Sequence, residues 1–83
     1  MSYKVHYKSS IERDLKKTDK AEAKIVLNKM EKELGKDPSE GEQLKGELQG
    51  LFIYRVGDYR VIYAKTTDGI LVLRIGHRKE IYR

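Results

Sequence analysis

The chain has 83 residues, a formal net charge of +5 and no cysteine. This length predicts one domain, residues 1–83, and the lack of cysteine excludes disulfides and thiolate metal sites. No apolar run approaches the ~20 residues that span a bilayer, and residues 1–20 lack the apolar core of a signal peptide. We therefore expect a cytoplasmic protein with no membrane partner.

The first half of the chain predicts a strand followed by two helices. Residues 3–8 alternate between apolar and polar side chains, which is typical of a half-buried strand. Ile11 and Leu15 lie four residues apart behind a serine pair that can cap a short helix. A second helix is predicted from Asp19, in a capping-box pattern, to Gly35, a common helix stop. Its apolar stripe consists of Ala23, Leu27, Met30 and Leu34.

The second half predicts three consecutive strands joined by tight turns. These strands cover 51–56, 59–65 and 70–75, with turns at 57–58 and 67–69 and a short basic tail after them. The fold class is therefore predicted as α+β in the order β-α-α-β-β-β. We expect an antiparallel sheet with a helical hairpin packed on one face.

Positive charge is concentrated in the second half of the chain. Residues 1–43 hold ten Lys and Arg against nine Asp and Glu, whereas residues 44–83 hold eight against four, so the net charges are +1 and +4. Arginines that lie among strand residues and aromatics favour phosphate and base recognition, because the planar guanidinium binds bidentately and stacks. A small basic protein that merely stays soluble is the alternative explanation.

The predicted hairpins bring some of these cations together. A two-residue turn at 57–58 places Arg55 opposite Arg60, an arrangement that favours an anion between them. If 68–69 is also a two-residue turn, His77 lies opposite Arg60. If the loop has three residues instead, His77 lies opposite Tyr59, and the sequence leaves both pairings open.

A cluster of arginine and histidine suits RNA cleavage through the 2′-hydroxyl group. Arginine can stabilise the developing charge but does not deprotonate in proteins. A proton acceptor is therefore needed, and the candidates are His77, Tyr82 and Glu42. The expected reaction requires no metal ion and no cofactor.

Two segments carry a resemblance to a known family. Gly57-Asp58-Tyr59-Arg60 and Gly76-His77-Arg78-Lys79-Glu80-Ile81-Tyr82, together with the order of elements, are similar to the RelE/ParE toxin superfamily. The resemblance implies a microbial-RNase-like fold and the toxin of a type II toxin–antitoxin system. The implied activity is endoribonucleolytic cleavage of mRNA in the ribosomal A site. The implied partners are the ribosome, mRNA and a RelB-like antitoxin, with operator DNA contacted only through the antitoxin.

The resemblance also implies roles for individual residues. The implied catalytic residues are Arg60, His77, Arg78 and Tyr82. Glu42 is implied as a further candidate base. The expected RNA-binding residues are Lys45, Arg55, Arg74, Lys79 and Arg83.

The sequence departs from the family in one strand. RelE carries two catalytic lysines where this chain has Leu51 and Ile53, so its lysine-dependent chemistry is not expected here. Two alternatives therefore accompany the RNase hypothesis. One is a ParE-like inhibitor of DNA gyrase without RNase activity, and the other is an inactive relative that acts as a corepressor with its antitoxin.

Overall fold

A computed structural model describes residues 3–81 and confirms the predicted α+β class. The helices are α1 (Ile11–Lys16), α2 (Lys20–Leu34) and α3 (Arg78–Ile81), with a short 3-10 helix at Gly46–Leu48. The strands are β1 (Lys4–Tyr7), β2 (Glu42–Gln43), β3 (Leu51–Val56), β4 (Tyr59–Lys65) and β5 (Gly69–His77). The short elements β2 and α3 were not predicted. None of the helices in this part of the chain has the length and apolar character needed to cross a membrane.

The sheet is mixed, which corrects the predicted antiparallel sheet. Its order is β1-β5-β4-β3-β2, and β1 runs parallel to β5 while the other pairs are antiparallel. The two helices form a crossover that returns the chain to begin β3 in the direction of β1. The hairpins then reverse the chain twice, so β5 runs in that direction too. A parallel pair needs such a long crossover, whereas antiparallel pairs need only tight turns.

The core lies between the helical pair and one face of the sheet. Val26, Met30 and Leu34 of α2 pack there against Val61 and Tyr63 of β4, and all five are at most 1% exposed. The helix α2 begins as predicted at Asp19, whose side chain accepts a hydrogen bond from the Ala21 N–H at 3.2 Å. Burying an aliphatic side chain of this size contributes about 1.5–3 kcal/mol to the stability of the fold. The packing of α2 therefore stabilises the sheet on the face that it covers.

The β4–β5 register combines a tight turn with a bulge. The Thr66 N–H donates to the Gly69 carbonyl at 2.8 Å and Lys65 lies opposite Ile70. The loop is therefore a two-residue turn, but its residues are Thr67 and Asp68, and the turn considered at 68–69 is wrong. The pairing then shifts between Ile62 and Tyr63, and this bulge adds one residue on β5. His77 consequently lies opposite Tyr59 and not opposite Arg60. The turn has two residues, but the bulge produces the pairing expected of a three-residue loop.

Gly69 allows β1 to approach β5 closely. A Cβ atom at this position would lie 1.9 Å from the Lys4 carbonyl oxygen. No side chain fits there unless β1 moves away. The sequence indicated only a turn glycine at this position, because the packing of a distant strand leaves no local signal.

We expect Gly69→Ala to lower the free energy of unfolding by more than about 2 kcal/mol, because overpacking displaces a paired strand. Gly46→Ala is the matched control. Gly46 has φ +73° and open space around it, so that variant should lose only about 1–2 kcal/mol from left-handed strain. Urea unfolding measures both losses. Equal losses would contradict the close approach of β1.

Candidate nucleic-acid interface and active site

The face of the sheet opposite the helical pair carries three arginines in register. Arg55 of β3 lies opposite Arg60 of β4, and Arg74 of β5 lies opposite Ile62 of β4. Directly opposed residues of an antiparallel pair share a face. We call this the arginine face, defined by Arg55, Arg60 and Arg74. The predicted Arg55–Arg60 pairing is confirmed.

Arg60 is held beside the β3–β4 turn. Its Nη1 donates to the Gly57 carbonyl at 2.8 Å and to the Tyr59 carbonyl at 3.0 Å. Gly57 has φ +58°, the left-handed conformation that glycine adopts readily, at the first turn position. The Nε of Arg60 is buried and has no hydrogen-bond partner among residues 3–81. A buried donor without a partner lowers the stability of the fold by about 1–3 kcal/mol. Binding of a ligand with an acceptor oxygen next to Arg60 Nε would therefore be favourable.

Glu42 pairs with Arg55 at one side of the arginine face. Arg55 Nη1 donates to Glu42 Oε2 at 2.5 Å, and Glu42 lies opposite Ile53 on the neighbouring strand. The hydrogen bond from Arg55, assisted by its charge, lowers the pKa of Glu42 below its ordinary value. The carboxylate offsets the repulsion between Arg55 and Arg60. It is also a weaker proton acceptor than an ordinary glutamate.

Tyr63 anchors the segment that leads to Glu42. Its hydroxyl donates to the Pro38 carbonyl at 2.6 Å and accepts from the Gly41 N–H at 3.0 Å. Burial raises the pKa of this hydroxyl, so it stays protonated and can keep donating. The hydrogen bonds of Tyr63 join segments that lie far apart in the chain and follow from the tertiary fold alone.

His77 lies in register with Tyr59 on the helix-covered face, across the sheet from Arg60. The two rings meet edge to face, with centroids 5.6 Å apart. His77 Nδ1 accepts a hydrogen bond from the Lys79 N–H at 3.2 Å, which caps the short helix α3. The structure therefore does not place His77 on the arginine face.

Helix α3 folds back beside Arg60. The Arg78 N–H donates to the Asp58 carbonyl at 2.8 Å. Ile81 is 9% exposed and packs over Gly76, the residue that pairs with Arg60. Lys45, Arg78 and Lys79 are exposed. Two of the predicted site residues, Tyr82 and Arg83, lie outside the described residues.

Asp14 of α1 is a structural residue of the site that the sequence analysis missed. Its Oδ2 accepts from the Ile75 N–H at 3.1 Å and lies 3.7 Å from Arg74 Nε. This contact holds α1 against the end of β5 that β1 does not pair with. Within 3–81, no three His, Asp or Glu side chains come together in a way that could ligate a metal ion.

The sequence of the chain is similar to those of known toxins. The sequence model of the family described as "ParE toxin of type II toxin-antitoxin system, parDE" matches residues 5–82. The chain is 33% identical over 86 residues to Toxin RelG of Mycobacterium tuberculosis, and the match covers 100% of this chain and 99% of that relative.

Two solved structures are similar in fold. A chain in the crystal structure of the toxin–antitoxin complex RelBE2 from M. tuberculosis superposes with a TM-score of 0.84 at 29% identity, covering 94% of this chain and 100% of that chain. A mutant of the E. coli toxin RelE, in complex with an antitoxin RelBc peptide, superposes with a TM-score of 0.74 at 18% identity. That match covers 99% of this chain and 92% of that chain.

We expect Arg55→Ala to return the pKa of Glu42 towards its ordinary value, because the hydrogen bond and charge of Arg55 lower it. In the intact protein, the stability gained from this pair is fully present above the ordinary glutamate pKa. It is lost as the pH falls through the lowered pKa. NMR titration of the side-chain carboxyl carbon measures the change. Asp68, whose pKa is lowered by Thr66 and His6, is the internal control, and a common shift of both groups would contradict the assignment.

Proposed function

Because the chain belongs to the RelE/ParE family of type II toxin–antitoxin toxins, we propose that it is a ribosome-dependent endoribonuclease that cleaves mRNA in the A site and inhibits translation. The observation that carries the proposal is the arginine face, which the helical pair leaves uncovered. Three arginines on one surface of a basic chain fit a phosphodiester backbone better than a neutral ligand.

The proposed reaction is attack by the ribose 2′-oxygen on the adjacent phosphorus. The new bond to phosphorus forms as the bond to the 5′-oxygen breaks, which gives a 2′,3′-cyclic phosphate and a 5′-hydroxyl end. One proton leaves the 2′-hydroxyl and one reaches the 5′-oxygen, and no metal ion is required. Arg60 would stabilise the phosphorane, since its guanidinium is already fixed by two carbonyls and costs little to reorganise.

Proton transfer is the step for which the candidates differ. The lowered pKa of Glu42 makes it a poor base. His77 Nδ1 accepts from the Lys79 N–H, so this nitrogen is engaged in holding α3. We therefore assign His77 the positioning of α3, which carries Arg78, and assign proton acceptance to Tyr82.

A cognate RelB-like antitoxin is the proposed inhibitor of this activity. The similar solved structures include toxin–antitoxin complexes. An antitoxin that binds only the folded chain would stabilise it by mass action. We propose that operator DNA is contacted only through that antitoxin.

The arginine proposal is tested by Arg60→Ala. We expect cleavage of mRNA on programmed ribosomes to slow by about 100- to 1,000-fold, the usual effect of removing one transition-state donor, with the melting temperature little changed. Arg13→Ala is the matched control, because Arg13 is an exposed arginine on the helical side. Single-turnover cleavage of end-labelled mRNA measures both variants. Equal rates for Arg60→Ala and the unaltered protein would overturn the proposal.

The role of His77 is tested by two substitutions. Asparagine can cap a helix through its side-chain oxygen, whereas alanine cannot. We expect His77→Asn to keep most of the cleavage rate and His77→Ala to lose about tenfold or more, because α3 loses its cap and carries Arg78 out of position. Equal, severe losses in both variants would instead make His77 a proton-transfer residue.

Two observations favour a second candidate function. Leu51 and Ile53 share the face of Arg60, through their pairing with Ala64 and Ile62, and supply no charge where RelE has lysines. The matching family model is also the ParE model. A ParE-like inhibitor of DNA gyrase would leave mRNA intact with and without ribosomes. It would block supercoiling of relaxed plasmid by purified gyrase, and this pair of assays separates the two functions.

A further inference from the structure

The carboxylate of Glu42 lies on the arginine face. It begins a row of residues in register across four strands, which is Glu42, Ile53, Ile62 and Arg74. Because side chains alternate along a strand, Arg55 shares this face with Ile53 two residues before it. The guanidinium of Arg55 donates to the Glu42 carboxylate. One of the cations that a phosphate chain would use is therefore bound to an anion of the protein itself.

We infer that Glu42 is a specificity-determining residue that occupies Arg55 in place of a substrate phosphate and is displaced when RNA binds. The inference rests on the proposed function, because its ligand is a phosphodiester chain. It adds to that function the residue that sets how strongly the chain must bind. No covalent bond forms or breaks in the exchange, and the displaced carboxylate turns towards solvent.

The pair is exposed, which makes it exchangeable. The side chains of Arg55 and Glu42 are 47% and 66% exposed. Ion pairs between exposed side chains contribute little to stability, because water solvates both partners when they separate. Strand β2 has only two residues and lies at the edge of the sheet. The Glu42 side chain can therefore rotate away from Arg55 without moving β3.

Asp14, the carboxylate at the other side of the arginine face, is not exchangeable in this way. Its side chain is 13% exposed and lies 3.7 Å from Arg74 Nε. It also accepts a hydrogen bond from the Ile75 N–H at 3.1 Å. Displacing it would leave a backbone donor without a partner, which destabilises the fold. Of these two carboxylates, Glu42 is therefore the one that a phosphate can replace.

The backbone beside Glu42 is fixed, so that the carboxylate stays within reach of Arg55. The Tyr63 hydroxyl accepts from the Gly41 N–H and donates to the Pro38 carbonyl. A Cβ atom at Gly41 would collide with that hydroxyl, so the contact requires glycine. A ligand tethered in this way competes at a high effective concentration, and Glu42 returns to Arg55 when RNA leaves.

The exchange distinguishes a phosphodiester chain from a single phosphate. A single phosphate reaches Arg55 only by replacing an equivalent charged hydrogen bond from Glu42, so it gains little. A chain of phosphates also meets Arg60, whose buried Nε has no partner among residues 3–81. The charge-assisted hydrogen bonds gained there offset the exchange. Glu42 therefore weakens the binding of small anions more than that of RNA held at several points.

The main test measures the affinity for a single-stranded RNA oligonucleotide with 2′-O-methyl riboses, which has no 2′-hydroxyl to react. Fluorescence anisotropy at low ionic strength is suitable, because phosphate contacts are strongest there. We expect Glu42→Gln to bind about three- to fivefold more tightly, the range of an exposed ion pair. Glu47→Gln is the matched control, since Glu47 is an exposed glutamate on the 3-10 helix, and it should change the affinity little.

A double-mutant cycle separates the contact from the general loss of a negative charge. In an Arg55→Ala background we expect Glu42→Gln to leave the affinity unchanged, because no guanidinium remains to be released. An equal gain with and without Arg55, or no gain from Glu42→Gln in the unaltered chain, would overturn the inference.

Glu42→Asp tests the reach of the side chain. Aspartate keeps the charge but is one methylene shorter, so it should hold Arg55 less well. We expect this variant to bind the oligonucleotide about twofold more tightly than the unaltered chain, as a fraction of the effect of glutamine. An affinity equal to that of the unaltered chain would mean that Glu42 acts by charge at a distance, which contradicts the exchange.

The state of Glu42 in the complex gives a spectroscopic test. In the free chain, the hydrogen bond and charge of Arg55 lower the pKa of Glu42. We expect saturation with the oligonucleotide to raise this pKa back towards or above its ordinary value, because Arg55 leaves the carboxylate. NMR titration of the side-chain carboxyl carbon measures it. A pKa that stays lowered in the complex would show that Glu42 keeps Arg55, and the inference would fail.

Failure of the inference and failure of the proposed function give different results. A chain that shows these affinities but never cleaves mRNA on ribosomes would overturn the proposed function and leave the exchange standing. A chain that cleaves mRNA but binds the oligonucleotide equally with Glu42 or Gln at this position would overturn the exchange alone.

Discussion

The position of β4 between β3 and β5 determines the rest of the structure. Gly57 sets the β3–β4 register, and the bulge opposite the Ile62–Tyr63 step sets the β4–β5 register. Because side chains alternate along a strand, these two registers assign every residue of the meander to one face. The core residues Tyr54, Val61 and Tyr63 fall on the helix-covered face. The three arginines fall on the other face, together with Leu51 and Ile53. A slip of one residue would exchange the two sets, and the buried core prevents it.

The site also depends on contacts at the end of β5. Asp14 satisfies a backbone N–H that no strand reaches, and the Nδ1 atom of His77 caps α3. Both contacts fix Gly76 and Arg78 beside Arg60. A domain of this size has a small margin of stability. Single hydrogen bonds at its edges can therefore govern the geometry of a functional surface, although neither side chain lies on the arginine face.

The arginine face brings like charges together, and carboxylates at its two sides offset them. Glu42 pairs with Arg55, and Asp14 lies 3.7 Å from Arg74 Nε. The carboxylate of Glu42 offsets part of the positive charge of Arg55. Repulsion between the opposed Arg55 and Arg60 therefore destabilises the sheet less.

The sequence by itself determined the α+β class, the two helices, the three meander strands and the pairing of Arg55 with Arg60, because hydrophobic period and turn chemistry are local signals. It also carried the family resemblance that the comparisons confirm. Only the tertiary structure decided that β1 is parallel to β5, that His77 faces Tyr59, and that Asp14, Tyr63 and Gly69 hold distant segments together. A bulge, an edge contact and a close approach each depend on residues far apart in the chain, and no local pattern encodes them.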